Sequence, residues 1–276
     1  MIRIGTRGSA LALAQATWVG DRLGTEYELV TISGSGPAAD KSRWVSELER
    51  ALLDGSVDVA VHSAKDVPAE LADGLELVAI PAREDPRDGI CGSSTLKKLA
   101  PGARVGTSSL RRAAQIRAAR DDLEVVEVRG NVDTRLRKLA AGECDALVLA
   151  VAGLRRLGRS DAIDGVLDEL VPAAGQGALA LEARPGSVDV DHISDPGATA
   201  CVLVERELTR ALGASCNTPV GAWARMLDGG ELELSAWVGR PDGSAWIGDR
   251  VRGGAGGLGT LLAERLLAAG AAELLA

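Results

Sequence analysis

The chain of 276 residues has no phenylalanine, one tyrosine and two histidines, and its four cysteines stand far apart. Each shortage removes a class of protein. Two histidines and four cysteines without a Cys-x-x-Cys pair cannot build the usual zinc cage, nor do they form the dense framework that staples small secreted domains. We expect no metal and a reduced, cytoplasmic setting. No apolar run reaches the roughly 18 residues of a membrane span; the best, at 146–154, stops at Arg155 and Arg156. Arg3 and Arg7 precede a short apolar stretch that imitates a signal peptide, but the stretch is short for that role and residues 2–6 read better as a strand. Positive charge is scarce too, with 31 Lys+Arg against 39 Asp+Glu and a formal net charge of −8. Such a balance argues against a surface built for phosphodiester backbones, which leaves small molecules and proteins as the expected partners, with no nucleic acid and no membrane.

What is present is a regular alternation. Hydrophobic residues make up 46% of the chain, enough for proper cores at this length. Residues 1–6, 27–33 and 57–62 read as strands and 9–23 and 44–53 as helices, which predicts βαβ units and a largely parallel sheet. Residues 80–88, with two prolines and five charges, read as a crossover. A second series follows, with strands at 103–106, 124–128 and 146–150 and helices at 109–120 and 132–141. The PAAGQG segment at 172–177 suits a hinge, and 178–182 reads as a strand returning to the first sheet. From about 199, a helix, three strands (220–226, 231–238, 245–251) and a terminal helix from 258 predict a small antiparallel sheet with helices on one face.

Chemistry-bearing residues gather at predicted strand ends. Arg111 and Arg112 follow Thr107-Ser108-Ser109, a strand-to-helix turn whose backbone N–H groups and hydroxyls suit an anion, with guanidiniums placed to hold a carboxylate or phosphate bidentately. The bland alternative is a solvated Arg pair. The layout recurs at Arg129-Gly130-Asn131, with Arg135 one turn inside the next helix, and both turns should lie at the carboxyl edge of one sheet. Residues 104–138 hold nine basic against five acidic side chains, a local positive excess in an acidic chain. Gly5-Thr6-Arg7-Gly8-Ser9 repeats the design but fails the dinucleotide fingerprint, and Lys41-Ser42 lacks the glycines of a P-loop. In Val61 to Pro68 (VHSAKDVP), Lys65 and Asp66 sit just past a strand, where an aspartate serves as counter-charge or proton carrier. Cys216 lies in a small-residue loop, GASCNTP, and is either an inert thiol or a reachable one. The five tryptophans read as core.

Taken together, GTRGSALAL, VHSAKDVP, REDPRD, GTSSLRR, RGNVDTRL, LAVAGLRRLG, PAAGQGAL and the Cys216 loop occur in the order found in the porphobilinogen deaminase (hydroxymethylbilane synthase) family, which the chain resembles from about Ile2 to its end. The resemblance implies an α/β protein of three domains: 1–84 with 178–195 and 88–174, similar to the lobes of a type II periplasmic-binding-protein fold, and a small α+β domain, 198–276, with an antiparallel sheet. It implies a dipyrromethane cofactor attached by a thioether to Cys216, and a transferase that condenses four porphobilinogen molecules with loss of ammonia and releases hydroxymethylbilane by hydrolysis. Asp66 matches the catalytic aspartate. Lys65, Asp66, Thr107, Ser108, Ser109, Arg111, Arg112, Arg129 and Gly130 are the implied cofactor contacts. Arg7, Ser9, Lys41, Arg129, Arg135, Arg156 and Gln176 are the implied substrate contacts. A monomer is the family expectation.

Two departures stand out. The loop at 33–43 is shorter than the family pattern and keeps only Lys41 of it, with Trp44 where Phe is common, and Ala214-Ser215 replaces the usual Gly-Gly before the cysteine. The rival reading is a non-catalytic two-lobed solute-binding or sensor protein for a carboxylated small molecule.

Overall fold

Short apolar runs, each closed by a glycine- or serine-rich turn that caps the next helix, build two sheets that obey one plan. In the computed structural model, which describes residues 1–33, 41–215 and 218–275, the chain runs β1 (Ile2–Arg7), α1 (Ala10–Gly20), β2 (Tyr27–Ile32), α2 (Lys41–Leu53), β3 (Val59–Ser63), β4 (Glu76–Ala79), β5 (Asp88–Cys91), β6 (Arg104–Thr107), α3 (Leu110–Ala119), β7 (Glu124–Glu127), α4 (Val132–Ala140), β8 (Ala146–Ala150), α5 (Val151–Arg156), β9 (Gly165–Leu167) and β10 (Leu179–Ala183). It ends with α6 (Pro196–Ala211), β11 (Val220–Met226), β12 (Leu232–Gly239), β13 (Trp246–Gly253), α7 (Leu258–Ala268) and α8 (Ala271–Leu275). Cys216, residues 34–40 of the shortened loop and the side chains of residues 41–44, Lys41 and Trp44 included, lie outside the described residues.

These elements fall into two compact units, Met1–Glu84 with Gly177–Ala200, and Asp85–Gln176 with Cys201–Ala276. The first unit holds a sheet of order β2-β1-β3-β10-β4. Strands β1, β2 and β3 pair in parallel, and β10 runs antiparallel to both β3 and β4. The second unit holds a sheet of order β7-β6-β8-β5-β9, with β6, β7 and β8 parallel and β5 antiparallel to both β8 and β9. Each sheet therefore has four strands in one direction and one reversed strand in fourth place. The expected largely parallel sheet becomes two mixed ones, and 178–182 does return to the first. The second unit also carries the antiparallel sheet β11-β12-β13, as the alternating segments after 199 predict.

Apolar clusters cover both faces of each five-stranded sheet. In the first unit Ile4, Val59, Val61, Leu179 and Leu181 form one core with Ala16 and Val19 of α1, and Leu48 and Leu52 of α2 pack with Val57 and Ala60 on the other. In the second, Ile90, Val105, Ile116 and Val148 oppose Cys91, Leu147, Leu149 and Leu154. Burying each Leu or Ile contributes about 1.5–3 kcal/mol, so these layers fix where the strand ends lie. Among the described residues no helix is long and apolar enough to cross a membrane.

The predicted crossover at 80–88 overran its true end. Asp88, read as part of it, is fully buried and opens β5. Acidic residues usually mark loops; this one is held inside by partners far along the chain.

Candidate active site

Three helices that follow parallel strands begin the same way. Ser9 Oγ accepts the Ala12 N–H at 3.2 Å, Ser109 Oγ the Arg112 N–H at 3.4 Å, and Asn131 Oδ1 the Thr134 N–H at 2.9 Å. Each cap stabilises its helix by about 1 kcal/mol and fixes the motif residues at a strand's carboxyl end.

In the first unit the carboxyl ends of β1 and β3 are neighbours, because Gly5 pairs with Ala60 in parallel register. Half-buried Arg7 and exposed Ser9 follow β1. After β3 the chain makes a single 3-10 turn, Ala64–Asp66, which leaves Lys65 and Asp66 half-buried. The turn is tied down at its start: the Ala64 N–H donates to Ala178 O at 3.0 Å, and Gln15 Nε2, itself buried, donates to Ser63 Oγ at 3.0 Å.

In the second unit the ends of β7, β6 and β8 form one edge, and this edge carries Arg129 and Thr107 to Arg112, while Arg156 closes the short helix α5 that follows β8. Sequence reasoning placed both Arg-bearing turns there, and one side chain joins them. Arg135 Nη2 donates to Ser108 Oγ at 2.8 Å, and its Nε to Gly130 O at 2.8 Å. Gly130 has φ +124°, and a Cβ there would lie 2.8 Å from Thr134 Cγ2, so only glycine gives this turn. Among the described residues no carboxylate pairs with Arg135. Burial, and then the like charge of Arg112, pull its pKa down. A half-buried cation with neutral acceptors and a cationic neighbour is a position that asks for an anion. Arg129 is exposed, its Nε 2.8 Å from Glu127 Oε1.

Arg111 and Arg112 are deeper than the sequence implied. Both occupy the first turn of α3, where the helix dipole disfavours cations, and both are buried. Arg111 Nη2 lies 2.8 Å from Asp88 Oδ2, and Arg112 Nη2 lies 2.8 Å from Oδ1, to which Arg112 Nε also donates. Arg111 Nη1 and Arg112 Nη1 donate to Val171 O and Val148 O. Burial alone would raise the Asp88 pKa, but the two guanidiniums hold it far below the usual carboxylate range. Arg111 Nε remains a buried donor with no acceptor among the described residues.

Gln176, expected among the substrate contacts, is 1% exposed. Its Nε2 donates to Pro86 O and Asp88 Oδ1, both at 2.7 Å, and its Oε1 accepts from Arg112 Nη2 at 3.3 Å. Gln176 is thus buried against Asp88, with its amide bonded inside the protein. Asp88 is the residue that sequence reasoning missed. The available signal was an acid in REDPRD directly before the apolar Gly-Ile-Cys, with an Arg-Arg pair downstream to neutralise it. A second buried pair also went unread: His62 Nε2 of β3 lies 2.9 Å from Glu182 Oε2 of β10.

The donor set suits a polycarboxylate such as a dipyrromethane. Among the described residues Arg135 has no carboxylate and Arg111 Nε no acceptor, and exposed Ser108 bonds to Arg135 through its hydroxyl.

Residues 2–192 match the family model described as porphobilinogen deaminase, dipyromethane cofactor binding domain, and residues 199–268 match the porphobilinogen deaminase C-terminal domain. A porphobilinogen deaminase of Deinococcus deserti is 47% identical, covering 89% of this chain and 88% of its own, and that of Thiobacillus denitrificans is 45% identical, covering 99% and 97%. Among solved structures, an ABC transporter/periplasmic binding protein from Brucella ovis with glutathione bound is 17% identical, with a TM-score of 0.40 over 77% of this chain and 67% of that one. By its family models and full-length relatives, the chain belongs to the porphobilinogen deaminase family.

Proposed function

We propose that the protein is a cytoplasmic, monomeric hydroxymethylbilane synthase that joins four porphobilinogen molecules head to tail with loss of ammonia and releases the linear product by hydrolysis. The observation that carries this reading is Arg135, which links the two Arg-bearing turns while no carboxylate among the described residues pairs with it. Porphobilinogen brings an acetate and a propionate, and each addition brings two more carboxylates to be held.

Dipyrromethane, bound through Cys216, supplies the nucleophilic pyrrole carbon from which the chain grows. Arg129, Arg135, Arg156, Arg7, Ser9 and Lys41 hold the carboxylates of incoming substrate. Thr107, Ser108, Ser109, Gly130 and Lys65 supply neutral and cationic donors to the resident group, and Arg111 and Arg112 fix its position from beneath, set by Asp88 and Gln176. Asp66 accepts hydrogen bonds from pyrrole N–H groups, faces the positive charge that develops when ammonia leaves, and carries the proton lost from the ring carbon. In this reading 88–174 and 198–276 serve as separate domains, the latter presenting the thioether.

The other cysteines are poor anchors. Cys91, Cys144 and Cys201 are all buried, and burial pushes the Cys91 thiol up to about 12 and the Cys144 thiol up as well. The thiolate is the nucleophile, so an attack on an electrophilic pyrrole methylene falls to Cys216. An intact mass spectrum of the purified protein should show one dipyrrole adduct, which Cys216→Ser abolishes. An unmodified wild-type mass would count for the solute-binding reading instead.

Arg129→Leu separates binding from folding. Among the described residues its one ion pair is exposed, with side-chain exposures of 68% and 58%, so stability should change by less than about 0.5 kcal/mol. Steady-state kinetics should show kcat/KM for porphobilinogen down at least about tenfold, the loss expected when one charge-assisted carboxylate contact is removed. A large fall in Tm at unchanged kinetics would give Arg129 a structural role.

A further inference from the structure

We propose that the outer face of the β11–β13 sheet, together with the last turn of α3, forms a second ligand site, for a flat aromatic carboxylate carrying a ring N–H. The register sets one row of this face as Gly221, Trp237 and Gly248, and the next as Trp223, Ser235 and Arg250. Trp246 lies beside Gly239 at the end of the sheet. The indoles of Trp237 and Trp246 stack with centroids 6.3 Å apart and planes 20° from parallel. Glycines make the room for them: a Cβ at Gly239 would run into the Trp237 ring. Trp246 is 54% exposed, which corrects the reading of every tryptophan as core. A large indole left half in water on a rigid stack is a surface that gains by being covered.

A groove of about 400 Å3 runs alongside the pair, walled by Ala118 and Ala119 of α3 and by Glu169 and Val171. That volume suits a ligand of one or two rings. Its charged groups have capacity to spare. Buried Glu233 is satisfied by Arg225 and Arg252, which leaves Arg250 the loosest of three guanidiniums around it, with Nη1 at 3.6 Å and Nε donating to Ser235 Oγ at 3.0 Å. Arg250 Nη2 and the Glu169 carboxylate have no partner among the described residues. The groove thus offers a guanidinium for a carboxylate, a carboxylate for an N–H donor, and stacked indoles for the ring between them.

Charge decides the size of the occupant. Three guanidiniums surround the Glu233 carboxylate, and Glu169 and Asp249 line the groove as well, which leaves too little positive charge, in a chain of net charge −8, to hold several phosphates of a nucleic acid. The groove adjoins Ala118 and Ala119 near the carboxyl end of α3, whereas Ser109 caps its start, about 15 Å away along ten residues of helix. Its inner wall, Gln115 and Val171, backs onto Arg111, which donates to Val171 O from the other side. Its chemistry does not depend on the proposed reaction.

The test is a titration of the full chain, labelled with 15N, with indole-3-acetate, following the five tryptophan indole N–H signals. The Trp237 and Trp246 signals, assigned by Trp→Phe variants, should shift saturably, and Trp246→Ala and Arg250→Gln should each weaken binding about tenfold or more while Arg129→Leu leaves it unchanged. Indole and acetate separately should bind at least about tenfold more weakly, as expected when either the charged contact or the stack is lost. Absence of saturation, shifts abolished by Arg129→Leu but not by Arg250→Gln, or equal shifts with a single-stranded oligothymidylate would each overturn the proposal. Both substituted side chains are exposed, and retention of the remaining indole signals shows that the variants have folded.

Discussion

The Asp66→Ala protein should fold as the wild type does and turn over porphobilinogen at least about 1000-fold more slowly, the combined scale of a lost proton carrier and a lost counter-charge. Its folding should survive because Asp66 is only half-buried and the 3-10 turn is held by the Ala64 N–H on Ala178 O and by Gln15 on Ser63. Asp66→Asn divides the two roles. The amide keeps hydrogen-bonding capacity but neither the charge nor the proton, so its kcat should stay close to that of Ala. Single-turnover assays of ammonia release read the chemical step directly, and a loss of less than tenfold in both variants would remove Asp66 from that step.

Asp88→Ala should be the most destabilising single change at a polar residue. It strips the counter-charge from Arg111 and Arg112 together, and breaking a buried ion pair from one side costs about 3–5 kcal/mol. At about 2–4 °C per kcal/mol for a protein of this size, Tm should fall by roughly 10 °C. The pH dependence carries the sign of a depressed acid. Asp88 stabilises the fold above the unfolded carboxylate value of about 4, and that contribution is lost as pH falls toward its depressed native value. The difference in stability between wild type and Asp88→Asn should therefore be widest near neutral pH and should narrow in acid. A difference that stays constant from pH 7 to pH 3 would show that Asp88 acts by shape alone.

Much of this architecture was legible because it rests on local chemistry. Ser9, Ser109 and Asn131 cap helices in the manner their residue types favour, so the strand-turn-helix units and the shared sheet edge could be placed before any coordinates. What could not be read depends on partners distant in the chain. Asp88 looks like a loop residue until Arg112, 24 positions later, and Gln176, 88 positions later, are folded onto it. Trp246 looks like core until the fold stacks it on Trp237 and leaves its ring half in water. Reversal of β5 and β10 follows from how the chain re-enters each sheet, which no local pattern encodes.

That reversed strand has a consequence for the order of synthesis. The sheet of the second unit is contiguous from β5 to β9 and can close as soon as residue 167 has been made. The sheet of the first unit cannot, because β4 joins it only through β10, which arrives about a hundred residues after β4. On the ribosome, the sheet begun first closes only after the one begun second, and β3 waits with a bare backbone edge while that later sheet assembles.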